Sequence, residues 1–132
     1  MGLIAGLRSP VGASAELLRM ARHGRLVLLV SVPLFLEYEA KCSEDEHLLA
    51  ASLTREDAQA FLAALAVIVR PVAIHYSWRP QLRDPADEMV LEAAVNGSAD
   101  ALITFNQRDF AKAPARFGIE LLLPSEALTR LR

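Results

Sequence analysis

The residues best suited to chemistry open one segment, Arg83-Asp84-Pro85-Ala86-Asp87-Glu88-Met89-Val90-Leu91. Asp84 followed by Pro85 reads as a helix N-cap with proline at the first helical position. Asp87 comes three residues after that cap, and on a 3.6-residue period it shares a side with Val90, Leu91 and Ala94, the side that faces a core. A carboxylate there costs free energy unless it caps the helix, meets a cation or binds a metal. Two other segments bring polar groups to the ends of apolar runs. Glu37 lies about two helical turns beyond Leu26–Val30, and Asn106 and Asp109 follow Ala101–Thr104. In open α/β sheets the ligand lies beyond the carboxyl ends of the strands. Acids gathered there repel one another without a cation. Oxygen donors without Cys or clustered His favour Mg2+ or Mn2+ over zinc. The matching chemistry is phosphodiester hydrolysis, with the metal activating water and stabilising the leaving oxygen.

Plainer roles exist for each of these groups. Asp84 also reads as a cap alone, Asp87 as a first-turn acid favoured by the helix dipole, and Glu37 as a solvated mid-helix acid. Asn106 also reads as a turn residue, Asp109 as a cap and Thr104 as a β-branched strand end. Arg79 and Arg83 suit either a phosphate or a nearby acid. Trp78 reads as a packing residue before a base-stacking one. His23, His47 and His75 are scattered, and Glu44-Asp45-Glu46 reads as a solvated turn.

Helices and short apolar strands alternate in the elements that must position these residues. A helix runs from Ala13 to His23 with Gly24 as its stop. Leu26–Val30 reads as a strand buried on both faces. Ser31 then caps a helix to about Lys41, with Pro33 in its first turn. Thr54 to Asp57 resembles a capping box with Asp in place of Glu, and its helix runs to about Arg70. Val72–His75 reads as a strand, Trp78–Pro85 as loop, and the Asp84-capped helix ends near Gly97. Strands at Ala101–Thr104 and Ile119–Leu123 and a helix at Pro124–Leu131 complete the pattern. It is that of a mainly parallel sheet covered on both faces. Met1–Ile4 is barely a strand and Arg8–Gly12 reads as loop.

The 132 residues are 53% hydrophobic, which suits one globular domain and excludes disorder. No apolar run reaches membrane-spanning length and no signal peptide is evident. The single cysteine, Cys42, excludes an internal disulfide, suits a cytoplasmic location and reads as a buried structural thiol. A net charge of −2 argues against holding nucleic acid through a broad basic surface.

Three segments carry a family resemblance: Ser31-Val32-Pro33-Leu34-Phe35-Leu36-Glu37-Tyr38-Glu39, Arg83-Asp84-Pro85-Ala86-Asp87 and Ala99-Asp100-Ala101-Leu102-Ile103-Thr104-Phe105-Asn106-Gln107-Arg108-Asp109-Phe110. In order and spacing they resemble the successive motifs of the PIN-domain family, in particular its VapC-like toxin branch. The resemblance implies a three-layer α/β/α sandwich and a Mg2+- or Mn2+-dependent endoribonuclease. It also implies a cognate antitoxin and a homodimer as partners. Glu37 matches the second family acid and Asp87 the third, with Asp84 in the accompanying turn. Asn106 falls at the fourth acidic position, Asp109 is a second polar group there, and Thr104 precedes that site. On this reading Glu37, Asp87, Asp84 and Asp109 are catalytic, Glu37, Asp87 and Asn106 hold metal, and Thr104 and Arg83 touch RNA. The family opens with a strand ending in Asp-Thr-Asn, whose Asp is the first metal ligand. Gly2–Pro10 resembles the segment just after that motif. The expectation is therefore a single domain over residues 1–132, incomplete at its N-terminus, lacking most of its first central strand and impaired in catalysis. A non-catalytic protein that binds an antitoxin or itself is the alternative.

Overall fold

Short apolar segments pair in one parallel five-stranded sheet among the residues described, 3–10, 15–44 and 54–132 of the computed structural model. The strands are β1 (Leu3–Leu7), β2 (Leu26–Val30), β3 (Arg70–Pro71), β4 (Ala101–Ile103) and β5 (Glu120–Leu122), in spatial order β3-β2-β1-β4-β5. Expectations for Met1, Gly2, the 11–14 segment, Asp45, Glu46 and His47 lie outside the described residues.

The expectation that the sheet lacks most of its first central strand is corrected. Leu3–Leu7 occupies the centre, with Leu3 opposite Leu26 on one side and Ala5 opposite Ala101 on the other. A central position offers two ladders of backbone partners and a dry environment on both faces, so it favours an uncharged apolar run. Leu-Ile-Ala-Gly-Leu meets that demand although it is too short to show a period. Asp100 fixes the entry to the strand, accepting from the Ile4 amide at 2.8 Å.

The helices are α1 (Ala15–Arg22), α2 (Val32–Cys42), α3 (Arg55–Ile68), α4 (Pro85–Asn96), the short α5 (Gln107–Phe110) and α6 (Ala113–Arg116), and α7 (Pro124–Leu131). α4 packs on β1, β2 and β4, with α2 against it and α3 against α2. α1 packs on β2 and meets α7. The result is a mixed α/β fold with helices flanking the sheet. Leu28, Leu29, Val90, Leu102, Ile103 and Phe110 lie in the core, and Cys42 is buried as expected. Ser31 caps α2 by accepting from the Leu34 amide at 3.2 Å. Thr54 and Asp57 form the reciprocal capping box, at 3.0 and 3.1 Å. Gly24, at φ +78°, stops α1 in the left-handed region.

The strand expected at Val72–His75 is corrected as well. Only Arg70–Pro71 joins the sheet, although the Val72 amide still donates to the Val30 carbonyl at 2.9 Å. Beyond it a polar ridge on α4, Glu88, Glu92 and Asn96 at four-residue intervals, replaces a neighbouring strand. Asn96 Oδ1 accepts from the His75 and Tyr76 amides at 2.9 and 3.0 Å, and its Nδ2 donates to the Tyr76 carbonyl at 2.9 Å. Glu92 takes a bidentate pair from Arg79, at 2.7 and 3.1 Å, and accepts from the Ser77 hydroxyl. Glu88 accepts from the Leu82 amide at 2.7 Å. Both glutamates are buried. The Arg79 guanidinium holds the Glu92 carboxyl below the usual carboxylate range, outweighing the opposing effect of burial.

This packing carries two expected outcomes. A Cβ on Gly97 would lie 2.5 Å from Leu29 Cδ1 and 3.0 Å from Val72 Cγ2. Gly97→Ala should therefore lower unfolding free energy by about 1–3 kcal/mol in urea titrations, as overpacked cores do. Because folding favours ionised Glu92, its contribution is present above the ordinary glutamate pKa and is lost as pH falls through the lowered folded value. Glu92→Gln should cost about 1–2 kcal/mol at pH 7, the partly exposed Arg79 being screened. Its Tm deficit against wild type should close in acid.

Candidate functional site

Strand order reverses between β1 and β4, so a ligand site is expected where their carboxyl ends part. Arg8 stands at that point. Its amide donates to the Ile103 carbonyl at 3.1 Å, which continues the ladder with β4. Its side chain crosses toward the start of α4, where Nε donates to Asp87 Oδ1 and a terminal nitrogen lies 3.8 Å from Asp84 Oδ2. Tyr38 of α2 pins the preceding residue, its buried hydroxyl donating to the Leu7 carbonyl.

Two cavities flank this ion pair. One, of about 490 Å3, is lined by Asp84, Asp87 and Asp109 together with Arg83, Arg108, Lys112 and Arg116. The other, of about 220 Å3, is lined by Leu7, Arg8, Ser9, Thr104, Phe105 and Asn106 among others. Asp87 is only 4% exposed. Burial pushes its carboxyl above the usual range, the Arg8 hydrogen bond and charge oppose this, and the charges of Asp84 and Asp109 add to it. The three aspartates thus share one electrostatic neighbourhood.

The expected site residues divide accordingly. Asp84 acts as the N-cap, its Oδ1 accepting from the Ala86 amide at 2.9 Å, while its other oxygen faces Arg8. Asp87, Asp109 and Arg83 line the larger cavity with it. Asn106 and Thr104 line the smaller one, and the buried Thr104 hydroxyl accepts from the Asn106 amide at 3.1 Å. Asn106 precedes α5 without a side-chain capping bond. Glu37 is half-buried beside Tyr38 on α2 and lines neither cavity. Arg79 meets an acid, Glu92.

Arg8 is the principal residue that the sequence reading missed. Its available signal was a single cation directly after an apolar run. Glu88 and Glu92 were also missed, although the four-residue spacing through Asn96 marks one ridge of a helix.

These donors do not fit a Mg2+ or Mn2+ centre in this arrangement. Such ions demand several oxygens in near-octahedral geometry, yet the Asp87 carboxylate is already neutralised by a guanidinium. Among the described residues no group of three or more His, Cys, Asp or Glu gathers to hold a metal. What the residues can do is bind phosphate oxygens on the basic rim, where arginine offers paired donors. They also hold an acidic centre closed with an internal cation.

Among the described residues no helix is long and apolar enough to cross a membrane. No curated protein matches the sequence. The family model for the PIN domain matches residues 2–108, most of the chain and all of the strands and helices that build the acidic cavity up to Arg108. The flanked parallel sheet is consistent with this match, and the chain belongs to the PIN-domain family, a nuclease-type fold.

Proposed function

We propose that this protein is an RNA-directed nuclease of the toxin branch of toxin–antitoxin systems, impaired in hydrolysis by its own Arg8. The observation that carries the reading is the larger cavity, where the buried Asp87 and the exposed Asp84 and Asp109 share the lining with a basic rim of Arg83, Arg108, Lys112 and Arg116. A phosphodiester presents dispersed negative charge, which the rim attracts. Metal-assisted hydrolysis requires carboxylates free to hold the cation. Arg8 occupies the most buried of them, and β1 delivers this arginine where an acid from the sheet centre is needed. A cognate antitoxin and a second copy of the chain are the partners that go with this reading, in a cytoplasmic setting.

The Arg8–Asp87 pair also favours a second reading. A carboxylate satisfied from within needs no metal, which suits a PIN-like protein that binds an antitoxin or itself without cutting RNA.

Cleavage of a mixed RNA in the presence of Mg2+ or Mn2+ separates the two. Arg8→Asp places an acid at the end of the central strand and frees Asp87. It should raise the rate by about ten-fold or more over wild type, and adding Asp87→Asn should abolish the gain. Mn2+ should raise the Tm of Arg8→Asp and leave wild type unmoved. Wild type cutting as fast as Arg8→Asp would show that Arg8 does not impair the site. Binding of an antitoxin by both proteins with cleavage by neither would establish the second reading.

A further inference from the structure

Exposed aromatic rings normally retreat from water, yet two of them, Tyr76 and Trp78, line up on this surface with the half-buried Phe117. Tyr76 and Trp78 stack with ring centroids 5.6 Å apart and an interplanar angle of 26°. Trp78 and Phe117 meet at 5.3 Å, tilted by 50°. Tyr76 remains 64% exposed and Trp78 43%. The backbone beneath them is anchored at each step. Asn96 grips the amide and carbonyl of Tyr76. Ser77 and Arg79, on either side of Trp78, are both bound to Glu92. Gln81 Nε2 donates to the Trp78 carbonyl at 2.7 Å. Each of these ties is made by polar groups and leaves the Tyr76 and Trp78 rings exposed, while Phe117 is half-buried.

The row runs to the edge of the acidic cavity. Phe117 follows Arg116, whose Nη1 donates to Gln81 Oε1 at 3.2 Å, and both Arg116 and Gln81 line that cavity. An aromatic strip beside a cationic rim complements a chain of flat bases joined by phosphates. Unpaired bases have free π faces to stack on aromatic rings, whereas duplex bases are already stacked. We propose that Tyr76, Trp78 and Phe117 form a stacking platform for the bases of single-stranded RNA leading to the cavity. This rests on reading that cavity as an RNA site.

Trp78 is the only tryptophan in the chain, so its emission reports on the platform directly. The titration uses the full chain with EDTA, to keep RNA intact, and a short single-stranded oligoadenylate. Binding is followed in parallel by anisotropy of an end-labelled oligomer. The oligoadenylate should quench Trp78 emission, while an abasic ribose-phosphate oligomer of equal length should not. Tyr76→Ala should weaken binding by about ten-fold, and Tyr76→Phe, which keeps the ring, should restore it. Circular dichroism checks that both variants fold.

Oligoadenylate binding that leaves Trp78 emission and the Tyr76→Ala affinity unchanged would overturn the platform and leave the RNA reading standing. Failure of both oligomers to bind would remove the platform and the RNA reading together. Emission that shifts with protein concentration and ignores RNA would overturn the platform in favour of a contact between copies.

Discussion

A carboxylate shut away from water must find positive charge, and in this domain that demand falls on Asp87. Burial disfavours its ionised form, and Asp84 and Asp109 add repulsion. The charge that answers them comes from the end of the central strand, through Arg8. One ion pair therefore ties the middle of the sheet to the first turn of α4. It also sets the electrical character of the carboxyl edge, where a partly compensated acidic group lies beside basic side chains. Here the compensating cation is covalently part of the chain.

Much of this architecture was legible in the residues. The Asp84-Pro85 cap, the Ser31 cap, the Thr54–Asp57 box and the strand at Leu26–Val30 all follow from local chemistry, because each needs only neighbours within a turn or a strand. The centre of the sheet was not legible. Leu3–Leu7 carries no period that distinguishes a strand from a loop, and only pairing with β2 and β4 decides the matter. Arg8 was hidden for the same reason, since its partners lie 76 and 79 positions away and exist only once the strand is placed. Asp84, Asp87 and Asp109 were singled out from their types and their positions after strands, and they line one cavity. Glu37 was singled out by its position after a strand and by the family pattern, and it lines neither cavity.

The loop from Val72 to Arg83 shows how tertiary partners override a local tendency. Val72-Ala73-Ile74-His75 has a strand-like composition, but its outward continuation meets side chains in place of a strand. Asn96 mimics a backbone partner by offering both an acceptor and a donor to Tyr76. Glu92 then holds Ser77 and Arg79 on either side of Trp78, and Glu88 holds Leu82 beyond them. Buried acids on α4 thus serve as anchors in one place and as the acidic centre in another. The difference lies in whether the chain supplies local donors or a single long-range cation.

The smallest strand has a consequence for how such molecules meet. β3 consists of Arg70 and Pro71, both exposed. It forms the outer border beside β2. An outer strand normally offers a row of backbone donors and acceptors on which another chain can polymerise. This one presents a charged side chain and a residue without an N–H group, over two positions only. Proline and charge are devices that blunt such borders against runaway pairing. Growth of the sheet from one molecule into the next is therefore disfavoured on that side, and among the described residues only the border at β5 keeps a three-residue row of backbone groups at the other end of the sheet.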